Sequence, residues 1–222
     1  MPLQIINTTD GSTSLFNAEL NETYHSVHGA VTESMHVFIQ AGLQYYINLY
    51  NPSAISIFEV GLGTGLNCLL TILEAEKHPN IQFNYMAIDT VSMPEELVAA
   101  INYPEKLNTG RKRFQEIHSF PFNQPLILTP NFTLHKVNGN IAQNEVEGQF
   151  NLIYFDAFGP DKQPEMWTEA ILAKMYNCLN INGLLVTYCA KGQFKRNLKA
   201  LGFVVENIPG PPPKREMTRA LK

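Results

Sequence analysis

The stretch Ala54–Gly65, AISIFEVGLGTG, constrains the fold more than any other part of the chain. Its first half is a near-continuous apolar run. That is the pattern of a strand buried on both faces, and such strands occur in parallel sheets covered by helices. Its second half sets Gly61, Gly63 and Gly65 within five residues, ahead of a helical stretch reaching about Lys77. In open α/β sheets, ligands bind beyond the carboxyl ends of the strands, where residues without Cβ atoms let the backbone come close. The rest of the chain repeats the alternation. FNYMAID ending at Asp89, FTLHKVN, FNLIYFDAF, GLLVTYC and FVVENI read as further strands. Helices are expected over 31–49 with Thr32 as cap, from Pro94, over 164–179, and over 191–201 before Gly202. REMTRAL, reached through Pro211-Pro212-Pro213, suits a last antiparallel strand. Strand–helix alternation implies parallel pairing with right-handed crossovers.

The expected fold is therefore α/β and Rossmann-like, a seven-stranded mostly parallel sheet with an antiparallel last strand. Residues 1–50 are expected to form a hairpin-and-helix extension, turning at Asp10-Gly11. Residues 51–222 are expected to form the main domain, with 103–125 a loop-rich insertion carrying at most a short helix.

The glycine spacing separates two cofactor classes. A dinucleotide fingerprint needs G-x-G-x-x-G, but Gly65 comes one residue early and Leu66 stands where the third glycine belongs. Glu59 precedes the first glycine by two residues. A carboxylate there repels a pyrophosphate and suits a cofactor with a cationic amino-acid tail, which points to S-adenosylmethionine. Asp89, at the end of the next strand, can accept hydrogen bonds from ribose hydroxyls. Asn140 and Ile141, after the third strand, can hold an adenine. Asp156 follows the apolar run NLIYF at a strand's carboxyl end, and Phe158 and Pro160 complete the turn. A carboxylate beside an aromatic suits transfer to an amine: the acid orients the nitrogen and tolerates its transient positive charge, and the ring stacks on a flat base.

Charge adds a second theme. The net charge is −4, yet residues 1–76 hold no Lys or Arg, and residues 186–222 hold eight basic residues against two acids. Such asymmetry can orient a polyanion on one face, or it can be a solvated tail. Three well-separated cysteines, Cys68, Cys178 and Cys189, form no disulfide framework or zinc knuckle, which suits a reducing cytoplasm. His25 and His28 lie three apart without a metal-binding surround, so no metal site is expected. No apolar run approaches a membrane span and no signal peptide is visible.

DGSTSLFNAELNETYHS, LGTGLN, YFDAFGPDKQPEMWT, AKGQFKRNLKALGF and KREM occur here in that order. Together they resemble the methyltransferase domain of the family that makes 5-methylaminomethyl-2-thiouridine at the tRNA wobble position (the MnmC/MnmD family). The resemblance runs from about Asp10 to Met217. It implies methyl transfer from S-adenosylmethionine to the exocyclic aminomethyl nitrogen of the wobble uridine, with tRNA as partner through its anticodon region. It implies a cofactor site of Glu59, Gly61, Gly63, Thr64, Gly65, Asn67, Asp89, Asn140, Ile141 and Asp156, and a catalytic turn of Asp156, Phe158 and Pro160. Lys191, Lys195, Arg196, Lys214 and Arg215 are the expected tRNA contacts. Two departures stand out: Asn140 replaces the usual acid, and Cys189-Ala190-Lys191 replaces small residues. Many members also carry a flavin-dependent oxidoreductase that makes the amine, so a separate FAD-dependent oxidoreductase, or another enzyme that makes the aminomethyl group, is the expected functional link. Competing expectations are an N-methyltransferase for a protein or small-molecule amine, a polyamine-forming aminopropyltransferase, and a non-catalytic RNA-binding module. A polyamine would meet Lys162, Lys191, Lys195 and Arg196, which would repel it.

Overall fold

The computed structural model describes residues 3–222. β1 (Leu3–Asn7), β2 (Thr13–Asn17) and β3 (Glu22–Thr23) form an antiparallel meander, with Asn7 opposite Thr13 at the first turn. One continuous helical stretch follows: α1 (Ala30–Ser34), a π-wound segment Met35–Gln44, and α2 (Tyr45–Tyr50). It lies close against the central sheet at Gly42, where a Cβ would stand 3.0 Å from a Val186 methyl.

The cap of this helix differs from expectation. Thr32 lies inside α1, and the N-cap position is Gly29, which has no side chain to offer. Asp10, at the tip of the β1–β2 turn, supplies the acceptor instead. Its Oδ2 takes the Thr32 N–H and Oγ1–H, each at 2.9 Å, and its Oδ1 takes the Ser12 N–H at 2.9 Å. Burial opposes ionisation of Asp10, but hydrogen bonds from Ser12, Thr32 and Thr8 outweigh it and hold the carboxyl well below the ordinary range. The contribution is therefore present above the unfolded carboxyl pKa of about 3.9 and is lost as pH falls below it. Asp10→Ala is expected to lower the unfolding free energy by about 2 kcal/mol at pH 7, the upper range for a lost cap acceptor. Urea denaturation at pH 7 and below pH 4 checks this: the difference between the two proteins should shrink in acid.

The main sheet has the order β10-β11-β9-β8-β4-β5-β7-β6. Its members are β4 (Ala54–Val60), β5 (Gln82–Asp89), β6 (Pro125–Thr129), β7 (Phe132–Asn138), β8 (Phe150–Phe155), β9 (Leu179–Thr187), β10 (Val204–Pro209) and β11 (Glu216–Leu221). β4, β5, β7, β8 and β9 run parallel, and β11 inserts antiparallel between β9 and β10. The eighth strand, β6, pairs antiparallel with β7 at the edge. Its five residues begin with a proline, and Ile127 is exposed, so its pattern is weak in sequence.

The stretch 103–125, expected to be loop-rich, instead holds α5 (Tyr103–Lys106) and α6 (Arg111–Ser119), after α4 (Glu95–Ala100). α6 buries Phe114 and Ile117, three apart on one face among charged neighbours. The single helix expected over 164–179 is a 3₁₀ turn, Pro164–Trp167, then α7 (Glu169–Cys178) capped by Thr168. Helix α3 (Leu66–Ala75) follows β4, and α8 (Gly192–Ala200) follows β9. Apolar side chains pack on both faces of the sheet. The Ala30–Tyr50 stretch and α3 cover one face, and α7 and α8 the other. Among the described residues, no helix is long and apolar enough to cross a membrane.

Candidate functional site

A cavity of about 790 Å³ opens at the carboxyl ends of β4, β5 and β8, roofed by residues 20–27 of the N-terminal extension. Most of the expected cofactor residues line it: Gly61, Gly63, Thr64, Asn67, Asp89, Asn140, Ile141 and Asp156. Gly63 and Gly65 hold φ of +51° and +72°, the left-handed region that side-chain-bearing residues rarely adopt. A Cβ on Gly63 would stand 3.2 Å from the Tyr24 ring, and one on Gly65 would meet the His118 imidazole at 2.9 Å. Gly65 therefore serves packing and the start of α3 and is not on the cavity wall. His118, pulled down to about 4 by burial, bonds the Thr64 carbonyl.

Asp89 braces the glycine turn as well as facing the cavity: Oδ2 accepts the Gly63 N–H at 2.8 Å, and Oδ1 the Val91 N–H at 3.2 Å. Asn140 Oδ1 accepts the Ala142 N–H, so the acceptor expected to face adenine is shared with its own turn.

Glu59 is placed differently from the sequence expectation. It is fully buried and does not line the cavity. Burial pushes its carboxyl well above the ordinary range, with the nearby Asp156 adding to the rise. Its Oε1 accepts from Asn67 Nδ2 at 3.0 Å, and that same nitrogen donates to Asp156 Oδ2 at 2.8 Å. Asn67, not Glu59, is the group presented to the cavity.

Asp156 closes β8 beside the glycine turn. Burial raises its carboxyl to about 7, Glu33 adds to the rise, and Asn67 and Lys214 oppose it. Beyond it, the turn is rigidly held. Tyr188 donates to the Ala157 carbonyl at 2.8 Å and Trp167 Nε1 to the Phe158 carbonyl at 2.8 Å. Phe158 lines the cavity and meets the Tyr24 ring edge-on, centroids 4.9 Å apart. Pro160 does not line it. Lys162 reaches back to the carbonyls of Leu20 and Asn21, clamping the roof to the turn after β8.

Of the five expected tRNA contacts, Lys214 turns inward. It pairs with Glu33 at 2.5 Å and sits 4.1 Å above the Tyr188 ring. Lys195 is mostly covered and bonds Glu216 at 3.0 Å, and Lys191 pairs with Asp161 on the loop after β8. Arg196 and Arg215 are exposed. The cavity wall itself is acidic, with Glu22, Glu33 and Glu165 joining Asp89 and Asp156. Lys162, Lys191, Lys195 and Arg196 are not on that wall, so they would not repel a polycation there. Tyr188, Gln163, Glu22 and Glu165 escaped sequence reasoning. Tyr188 alone carried a signal, its place at the carboxyl end of β9. Among the described residues, no group of three or more His, Cys, Asp or Glu side chains is placed to hold a metal ion.

The residues present fit S-adenosylmethionine. The glycine cradle admits a close ligand, and Asp89 retains free lone pairs. The acidic wall suits a sulfonium.

Comparison with known proteins agrees. Over residues 109–222, half of the chain, it matches a family model described as S-adenosyl-L-methionine-dependent methyltransferase. It is 28% identical over 208 residues to the tRNA 5-methylaminomethyl-2-thiouridine biosynthesis bifunctional protein MnmC of Leptospira interrogans. That match covers 90% of this chain and 32% of that protein. The MnmC protein of Pseudomonas putida strain GB-1 is 25% identical, with 86% of this chain and 31% of that one covered. The chain thus spans about a third of the length of these relatives. The crystal structure of MNMC2 from Aquifex aeolicus superposes with a TM-score of 0.79 at 24% identity, covering 99% of this chain and 70% of that one. Spermidine synthase from Thermotoga maritima gives 0.58 at 13%, covering 98% and 67%. These two likenesses establish a shared fold. With a glycine turn, a strand-end acid and a cavity suited to the cofactor, and with the family model matching half its length, the chain belongs to the S-adenosyl-L-methionine-dependent methyltransferases.

Proposed function

We propose that this chain methylates the exocyclic aminomethyl nitrogen at the 5-position of a tRNA wobble uridine, giving 5-methylaminomethyl-2-thiouridine. The observation that carries an amine acceptor is Asp156, a carboxyl raised to about 7 beside an aromatic on an acidic wall. The tRNA carrier is supported by the MnmC relatives.

When bound, S-adenosylmethionine supplies an electrophilic methyl group. Thr64 and the backbone of Gly61 and Gly63 would cradle it, and Asp89 would accept from its ribose. Ile141 and the Asn140 amide, both on the cavity wall, would hold its adenine. The acidic wall attracts the substrate as an ammonium. Asp156 then takes a proton from it, which frees the lone pair, and holds a remaining N–H so that the nitrogen faces the methyl. Phe158 stacks on the uracil, and the Trp167 and Tyr188 hydrogen bonds keep the turn from shifting. Pro160 stiffens the turn from outside the wall. A separate FAD-dependent oxidoreductase is the proposed supplier of the amine.

The test is nucleoside mass analysis of tRNA bearing the wobble aminomethyl group, incubated with purified chain and cofactor. Gain of one methyl group on that nucleoside is expected. No gain, with cofactor binding intact, overturns the tRNA assignment. The acidic wall also favours a second reading, aminopropyl transfer to a polyamine. Parallel reactions with putrescine and decarboxylated S-adenosylmethionine distinguish it.

Lys191, Arg196 and Arg215 are the proposed phosphate contacts. Lys191 sits beside the catalytic-turn loop, and Arg215 is adjacent to Lys214 at the cavity. Neutralising all three is expected to flatten the salt dependence of tRNA binding by about two to three units of log–log slope. An unchanged slope in filter binding assigns these charges to a solvated surface.

A further inference from the structure

Asn67 occupies a position that neither cofactor binding nor acid–base chemistry alone explains. It stands in the first turn of α3, directly after the glycine turn, and is almost wholly buried. Its Nδ2 spans two carboxyls on adjacent strands, Glu59 Oε1 at 3.0 Å on β4 and Asp156 Oδ2 at 2.8 Å at the end of β8. Its Oδ1 is buried without a partner, as is Glu59 Oε2. A buried amide with an unpaired acceptor gives up hydrogen bonding, so its orientation is set by the two bonds it does make.

We propose that Asn67 is a positioning residue that ties the methyl-donor turn to the acceptor acid, fixing Asp156 towards the reacting nitrogen through a bond anchored on buried Glu59. The proposal rests on Asp156 being the acid that meets the amine. Glu59 is the post: it is fully buried in the central strand. Asn67 is the arm, and it stands in the first turn of α3, directly after the glycine turn that would cradle the methyl donor. The two reacting partners are thereby registered through one amide rather than through separate loops.

Several groups face Asp156 besides Asn67. Glu59 approaches from β4, Glu33 from α1 and Tyr103 from α5. Tyr188 lies at the end of β9, and Lys214 in the β10–β11 connection. Among these, Glu33 and Lys214 are paired with each other, so their opposite effects on Asp156 partly cancel. Asn67 is the one that donates a hydrogen bond to Asp156. A bond to the ionised form favours ionisation, so its loss must move the acid upward.

The chain has four aspartates, Asp10, Asp89, Asp156 and Asp161, which makes a carboxyl titration readable. The experiment is carbon NMR of the full chain labelled at aspartate carboxyls, with Asp156→Asn used to assign the Asp156 signal. Asn67→Ala is expected to raise the Asp156 midpoint by about one unit, and Asn67→Asp by more, because a third carboxylate then faces it. With the tRNA substrate, the acidic limb of the kcat profile should move by the same amount, while KM for the cofactor changes much less. An unmoved Asp156 midpoint in a folded Asn67→Ala protein overturns the proposal. So does an equal loss in cofactor affinity and kcat, which makes Asn67 a simple cofactor ligand. If Asn67→Ala fails to fold, Asn67→Leu, close in size and without a donor, takes its place, and the same midpoint decides. The titration needs no substrate, so failure of the tRNA assignment leaves this test standing.

Discussion

Asp156→Asn is expected to retain S-adenosylmethionine binding and lose on the order of 10²-fold or more in turnover. The amide keeps the shape and an acceptor for Asn67, but it cannot take a proton from the incoming ammonium. Electrostatic support for the developing cation is lost with the same change. In the unmodified protein kcat should rise with pH through about 7, the value to which burial lifts this acid. In the variant that limb should vanish. Stability should move the other way. A carboxyl whose folded value lies above its unfolded one binds more protons when folded, so ionising it destabilises the fold as pH rises towards 7. Asp156→Asn should therefore melt higher than the parent at pH 8 and lose that advantage by pH 4. Calorimetric binding, rate profiles and melting curves across that range are the measurements. Near-normal turnover would assign Asp156 a structural role.

The second large effect is expected at the cofactor cradle. Asp89→Ala removes the acceptor for the Gly63 N–H as well as the proposed ribose contact, so the turn loosens and a ligand bond is lost together. Hydrogen bonds to a charged group contribute roughly 1.5–3 kcal/mol each, so cofactor binding should weaken by at least about tenfold. Gly63→Val should be more severe. Its φ of +51° strains any branched residue, and a Cβ would press to 3.2 Å from the Tyr24 ring, which roofs the site. Titration calorimetry on folded proteins checks both. Unchanged affinity in the two variants would place the cofactor elsewhere.

The site's two ends were legible to different degrees. Gly61, Gly63 and Asp89 could be placed from sequence because each sits at a strand end, and strands are local features of apolar runs. Asp156 was legible for the same reason. Glu59 was legible as a residue but not as a role. Sequence spacing shows that an acid precedes the glycines, but not that alternation along β4 turns it into the core. The basic tail was legible as a charge surplus, while the direction of each side chain was not. Lys214 and Lys195 are recruited by Glu33 and Glu216, partners 181 and 21 residues away.

What the sequence by itself determined is the layered α/β architecture, the glycine turn with its cofactor class, and the row of acids along one sheet edge. These follow from periodicity and from residues that act where they stand. Only the tertiary structure decided that residues 20–27 fold over the cavity, that Lys162 clamps them there, and that Asp10 caps a helix 22 residues on. It also decided that β6 adds an eighth strand and that Asn67 joins the carboxyls of Glu59 and Asp156. These are contacts between segments distant in the chain. Their stability comes from desolvation and from hydrogen bonds that exist only after the sheet has assembled, and no local pattern encodes them.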